Sequence, residues 1–366
     1  MVRPIKKMWM WAVLILIPIV GIDLLSAHFL YYYEQLGDRH RPNLIRPHGN
    51  RLAIRSMLSE VAFAAGLVND DCPYSQPAPF FRHHAKLGWS SAPGTYDVFF
   101  CPRGESGSRR FRWTATIEGN ESRRATSFET VSGNRHLYIF GDSFVFGWGL
   151  NDENTVAWHL QDALRNEWEV LHFANAGYGN VHNLLQFRSI SDRVGREDVL
   201  IFAYADYLNP RNVAAPSRLR AVTSSRSHNS LSTQTPSHPK ASLANAELLI
   251  EYLPLECASL GTYCDGKDPS NVEMSRVTRA IFDEVLKSTQ ATVAVLFLSG
   301  DQDDPVVSFL RQNGVAIIDV RNDKQAYLVR DTIGSLDSHP GPVSHYVWYK
   351  AILAFIEGSL VPQPPS

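Results

Sequence analysis

Ser143 stands in Gly141-Asp142-Ser143, directly after Leu137-Tyr138-Ile139-Phe140, a short apolar run rich in β-forming residues. A serine hydroxyl is a weak nucleophile at neutral pH. It needs a base to take its proton, and hydrogen-bond donors for the oxyanion it generates by attacking an acyl group. The chain offers places for both. Leu336-Asp337-Ser338-His339-Pro340 lies near the far end, and between the two stand Asn175-Ala176-Gly177-Tyr178-Gly179-Asn180 and Ala205-Asp206-Tyr207-Leu208-Asn209.

These residues need elements to position them. Residues 152–167 put Val156, Leu160, Ala163 and Leu164 at helical spacing, so the serine unit reads as strand, tight turn, helix. Ser143 then sits at the carboxyl end of a strand, where open α/β sheets place their ligands. The pattern recurs along the chain. Residues 168–173 read as a second strand, 181–194 as a helix, and 198–204 as a third strand whose unbroken apolar run fits burial on both faces. It resumes with a helix at 272–288, a strand at 292–298, a helix at 305–313, a strand at 315–320 and a closing amphipathic helix at 347–356. The fold class is α/β with a parallel sheet.

Taken in order, these blocks resemble the SGNH (GDSL-type) hydrolase family over residues 137–208 and again from about 291 to 355. The resemblance implies a three-layer α/β/α, flavodoxin-like domain. It implies Ser143 as nucleophile, His339 as its base and Asp337 as the carboxylate that orients the imidazole, with Asp331 in reserve. Backbone N–H groups of Ser143 and Gly177 would form the oxyanion hole. The family usually adds an asparagine side chain from Gly-x-Asn-Asp after the third strand, but this chain has Tyr204-Ala205-Asp206-Tyr207, with Ala205 at that position. An ionised Asp206 cannot donate. Asn212 is the first candidate for the missing donor and Asn209 the second. Asp142 is expected to tie down the turn, and His345 to serve a structural role at the start of the last helix. A weaker likeness, His84-Ala85-Lys86-Leu87-Gly88-Trp89 with Pro93-Gly94, is to a leader in some membrane-attached bacterial members; it reads either as a small β cap over the site or as an edge shielding the sheet.

At 366 residues, 44% hydrophobic and 20% charged, the chain has ample material for a core. A net charge of −2 gives no hint of nucleic acid or of a polyanionic partner, and no zinc-type Cys/His spacing or phosphate-loop lysine calls for a metal or cofactor. Arg3, Lys6 and Lys7 precede an apolar run at 8–22. At about 1.5 Å per residue that run falls short of a bilayer core of about 30 Å, but continuing it through Leu30 suffices. The segment therefore reads as an uncleaved signal anchor in preference to a cleaved signal peptide, because Leu25 spoils the small-residue exit before Ala27. Arg39, Arg41 and Arg46 weaken the charge asymmetry that would orient it. Four cysteines could pair as Cys72–Cys101 and Cys257–Cys264 in an oxidising compartment, or stand as separate buried thiols.

The organisation expected is an anchor and transmembrane helix at 1–33, a stalk and small cap region at 34–135, and a hydrolase-like domain at 136–360 with a flexible insertion at about 214–246. The function expected is serine esterase on ester-linked, small acyl groups, with a cell-envelope glycan as the suggested substrate and an extracytoplasmic location. An O-acyltransferase using the same acyl-serine, or a catalytically weak glycan-binding protein, are the alternatives.

Overall fold

The computed structural model describes residues 75–76, 80–100, 111–119, 121–129, 131, 133–219, 237–254, 263–321 and 339–360. The N-terminal segment, Asp331, Asp337, Cys72, Cys101 and Cys257 lie outside the described residues. All of the described residues but Phe111 belong to one compact unit, formed by residues 72–100 and 112–366.

Five strands run parallel: β7 (Arg135–Phe140), β8 (Trp168–His172), β9 (Val199–Ala205), β12 (Thr292–Ser299) and β13 (Ala316–Asp319), in the order β8-β7-β9-β12-β13. Their apolar runs are continuous because both faces are covered. In β9 all seven residues are buried; Leu200, Phe202 and Tyr204 join one core, and Val199, Ile201, Ala203 and Ala205 point the other way. Stacked Phe140 and Phe202 rings, 4.6 Å apart, tie the centres of β7 and β9 together.

Helices α3 (Asn180–Ile190), α5 (Asn271–Lys287) and α6 (Pro305–Gln312) pack on one face through Val181, Leu184, Phe187, Ile281, Phe282 and Val307. Against them on the far side of the sheet lie α2 (Val156–Leu164) and α7 (Pro342–Leu360), which touch each other. Side chains start these helices by capping free N–H groups: Thr155 accepts from Trp158 in α2, Ser270 from Glu273 in α5, and Asp304 from Val306 and Val307 in α6. Among the described residues no helix is long and apolar enough to cross a membrane.

The central sheet is parallel as expected, and it is extended on one side by antiparallel strands. β8 continues on its outer side into β6 (Arg123–Arg124), β5 (Phe111–Glu118), β4 (Gly94–Phe100) and β1 (Ser75–Gln76), making nine strands. The pairings β8–β6, β6–β5 and β4–β1 are antiparallel. Two of these strands are only two residues long, so they exist by pairing and carry no periodicity of their own. Strands β4, β5 and β6, which lie in the expected cap region, thus belong to the same sheet as β7. Two hairpins stand apart from it, β2–β3 (Phe81–His84, Gly88–Ser91) and β10–β11 (Ser237–Ala244, Glu247–Pro254). The second falls at the end of the expected insertion, whose residues 237–244 pair as β10; Asn245 and Ala246, at φ 51° and 67°, form the two-residue turn such hairpins require.

Candidate active site

The chain passes from β7 to β8 on one side and then crosses back from β8 to β9 on the other, so the strand order reverses at β7. That is the switch point of an open α/β sheet, and the crevice it leaves lies beyond the strand's carboxyl end. Ser143 occupies it as the first residue of the one-turn helix α1 (Ser143–Phe146) and is 7% exposed.

Local sequence builds that turn. The Asp142 carboxylate caps α1 by accepting from Phe144 N–H at 3.0 Å. Gly147 ends it in the left-handed region, φ 75°, with its N–H closing back on Phe144 and Ser143 carbonyls. A methyl group there would meet Thr155 at 2.8 Å and Arg124 at 3.1 Å, so only glycine fits. Being first in the helix, the Ser143 N–H has no intrahelical acceptor and is free for a ligand.

His339 Nε2 lies 2.9 Å from Ser143 Oγ, the geometry in which the hydroxyl donates to a basic imidazole nitrogen. Phe144 meets the imidazole edge-on at 5.3 Å and Trp148 flanks it at 6.3 Å. His339 is held from behind by α7. Two turns of chain later His345, fully buried, accepts from Val156 N–H at 3.0 Å and so fastens the start of α7 to the start of α2. Burial, with Arg124, His172 and His159 adding to it, keeps His345 neutral and well below the usual histidine range. Asp337, the expected orienting carboxylate, lies outside the described residues.

Gly177 arrives through the loop after β8. Asn175 N–H bonds Gly141 carbonyl at 3.2 Å, and its Oδ1 accepts from Ser91 hydroxyl and Ala176 N–H at 3.0 and 2.8 Å. Trp89 Nε1–H donates to Ala176 carbonyl at 3.0 Å, and Tyr178 hydroxyl donates to Trp89 carbonyl at 2.7 Å. Gly177 has φ 81°, and a methyl there would press on the Trp89 ring at 3.1 Å. The β2–β3 hairpin of the 84–94 leader stands outside the nine-stranded sheet and grips the loop that carries Gly177.

The two asparagines expected to complete the oxyanion hole do not reach it. Both lie on the short helix α4 (Asn209–Asn212) and face inward. Asn212, wholly buried, donates to Thr278 at 2.8 Å and to Asn180 at 3.4 Å, and accepts from Val181 N–H. Asn209 donates to Tyr204 hydroxyl and accepts from Thr278. These amides pin α4 to α3 and α5, and a buried amide so engaged cannot turn outward without orphaning its partners. Asp206 is exposed and accepts from Ser299 hydroxyl.

Charged groups that sequence reasoning missed surround the serine. Arg211 donates to Asp142 Oδ2 at 3.0 Å and to Tyr178 carbonyl at 2.8 Å, joining the serine turn to the Gly177 loop. Tyr207 faces the same carboxylate; burial first, then Asp142, hold its hydroxyl well above the usual tyrosine range. Arg124, 0% exposed, pairs with Asp152 at 2.8 Å, and its other nitrogens donate to the carbonyls of Thr114, Phe146, Gly147 and Leu150. Arg218 lies beside Gly177, its Nη2 3.7 Å from where a methyl on that glycine would stand. No periodic signal marks any of them in the sequence.

Among the described residues no group of three or more His, Cys, Asp or Glu side chains is placed to hold a metal. A cavity of about 930 Å³ opens elsewhere, between β10–β11 and the start of α5, and is lined by none of the groups around Ser143. Cys264, 3% exposed, carries no free thiol.

No family model and no curated protein matches the sequence. Solved structures that resemble the chain include a member of the lipolytic protein G-D-S-L family from Veillonella parvula, at 10% identity, 61% of this chain, 98% of that chain and a TM-score of 0.35. TesA resembles it at 10% identity, 62% and 99% coverage and a TM-score of 0.39. So does a family two carbohydrate esterase from Clostridium thermocellum in complex with cellohexaose, at 11% identity, 65% and 67% coverage and a TM-score of 0.35.

Proposed function

We propose that the chain is a serine esterase of the SGNH type that hydrolyses small ester-linked acyl groups through an acyl-Ser143 intermediate. One observation carries the reading: Ser143 Oγ and His339 Nε2 stand 2.9 Å apart at the sheet's switch point, with the Ser143 N–H unused beside them. His339 takes the hydroxyl proton as Ser143 attacks the acyl carbon and returns it to the departing alcohol; water then repeats the sequence on the acyl-serine. Phe144 and Trp148 flank the imidazole.

The substrate we favour is an acylated glycan of the cell envelope, reached by a body held outside the membrane on the anchor at 1–33. The basic start, the apolar run and the even cysteine count support that location.

The test is hydrolysis of p-nitrophenyl acetate and longer esters by the purified chain beside Ser143→Ala and His339→Ala. Each variant is expected to lose at least about 10⁴-fold in kcat/KM, as serine and histidine of a nucleophile–base pair do. Equal rates in all three proteins would overturn the reading and leave a binding role.

A further inference from the structure

Acyl transfer to a serine needs donors aimed at the oxygen on which charge develops, and each good donor is worth about 10²–10³ in turnover. Two backbone donors are available on the proposed reading, the N–H groups of Ser143 and Gly177, neither of which has a protein acceptor among the described residues. The nearby side-chain amides and one guanidinium are committed: Asn212 and Asn209 to Thr278, Asn180 and Tyr204, and Arg211 to Asp142 and Tyr178.

Around the serine turn and the Gly177 loop, four buried groups able to donate have no acceptor among the described residues: Asn175 Nδ2, His182 Nε2, the Tyr207 hydroxyl and Arg218 Nε. Asn175 Nδ2 is one, but the residue is fully enclosed and its oxygen is tied to Ser91 and Ala176, so no ligand reaches it. His182 is wholly buried and the covered Tyr207 hydroxyl faces the Asp142 carboxylate; Arg218 is the one that carries a positive charge. Its Nε is buried and unpartnered, the guanidinium makes no ion pair among the described residues, and its Nη2 lies against the Gly177 face. Yet the residue is only half-buried overall, leaving part of the fork open. Burial and the nearby Arg211 lower this guanidinium to about 10, Asp142 opposing them, so it remains a cation at neutral pH. A buried, unpaired cation is costly to the fold unless an anion arrives.

We propose that the Arg218 guanidinium is the third, charged donor of the oxyanion hole, acting with the N–H groups of Ser143 and Gly177. The inference rests on the esterase reading above. As the Ser143 Oγ–C bond forms, the carbonyl π pair moves onto its oxygen and the hydroxyl proton moves to His339 Nε2. Arg218 donates to that oxyanion. When the C=O bond re-forms, the C–O bond to the alcohol breaks and the alcohol leaves with the proton from His339. Arg218 keeps its own protons throughout. Positive charge is thereby set against charge that exists only in the transition state and intermediate, so its effect falls on kcat.

The experiment uses the full chain and neutral p-nitrophenyl acetate, with wild type, Arg218→Lys, Arg218→Met and Ser143→Ala compared, and with thermal melting to show that each variant is folded. Arg218→Met is expected to lose about 10²–10³-fold in kcat with KM little changed, to melt no lower than wild type, and to regain part of its turnover in millimolar guanidinium. Arg218→Lys should fall between, because a lysine keeps the charge and loses the planar fork. An Arg218→Met kcat within about threefold of wild type would overturn the proposal, being far short of the loss of one donor. So would a loss confined to KM and seen only with esters that carry a carboxylate, which would make Arg218 a substrate-charge reader. Wild-type turnover no greater than that of Ser143→Ala would instead sink the esterase reading itself, and this proposal with it.

Discussion

Two arginines, one bonded to the end of the serine turn and one beside the Gly177 loop, differ sharply in their hydrogen bonds. Arg124, wholly buried, spends every guanidinium nitrogen on Asp152 and on the carbonyls that follow α1. Arg218, beside the Gly177 loop, has no acceptor at all among the described residues. Each has its own pair of buried histidines. His172 and His345 sit near Arg124, while His182 and His238 sit near Arg211 and Arg218, and burial above all holds all four below the usual histidine range. The difference teaches how to read a buried cation. One whose donors are filled is a strut. One whose donors are empty is standing where negative charge comes and goes.

The comparison is broken most directly by removing each cation in turn. Arg124→Met leaves Asp152 buried and unpaired and strips the carbonyls of the serine turn, so a loss of about 3–5 kcal/mol in a urea melt is expected. Arg218→Met removes a charge with nothing to orphan and should cost no stability. Equal losses in the two melts would show that both are struts.

Acid sharpens the comparison on the histidine side. In the native chain burial lowers His172 to about 3 and His238 to about 4, from an ordinary 6.5. Below pH about 6.5 the unfolded chain binds protons that the native one refuses, so the stability these groups contribute is complete above that pH and is lost as pH falls toward 4. The limiting slope is about 1.4 kcal/mol per pH unit for each such histidine. Melting temperatures at pH 7, 6 and 5 should fall progressively, and His172→Gln should fall less steeply. A flat profile would mean that water already reaches these rings.

The smallest expected change is in turnover, on Asn212→Ala. That substitution orphans Val181 N–H and removes the Asn212 donor from Thr278, and should cost about 1–3 kcal/mol of stability. With no oxyanion donor lost, kcat of the folded fraction should change by less than about threefold. A hundredfold fall here, with Arg218→Met silent, would exchange their roles.

The legible parts of the molecule are those whose signal is local. The β7 run, the glycine turn and the α2 spacing announce Ser143 in the sequence, and the parallel strands are readable because burial on both faces makes them unbroken apolar runs. His339 is legible from its Asp-x-His-Pro setting. The antiparallel half is not, since Arg123–Arg124 and Ser75–Gln76 become strands only by pairing with what lies beside them. Asn209 and Asn212 are amides in the right neighbourhood, and what decides their direction is the packing of α4 on Thr278. Arg124, Arg211 and Arg218 are single charges in polar stretches. Their work depends on burial, which only the assembled fold confers.

A hydroxyl and an imidazole 196 positions apart in the chain have a kinetic consequence. Contacts of such separation form late, because the entropy of closing the intervening loop is lost before the contact is gained. Until His345 docks α7 against the start of α2, Ser143 has no base. The appearance of ester cleavage during refolding should therefore trail the recovery of secondary structure, making the reaction itself a clock for the last step of assembly.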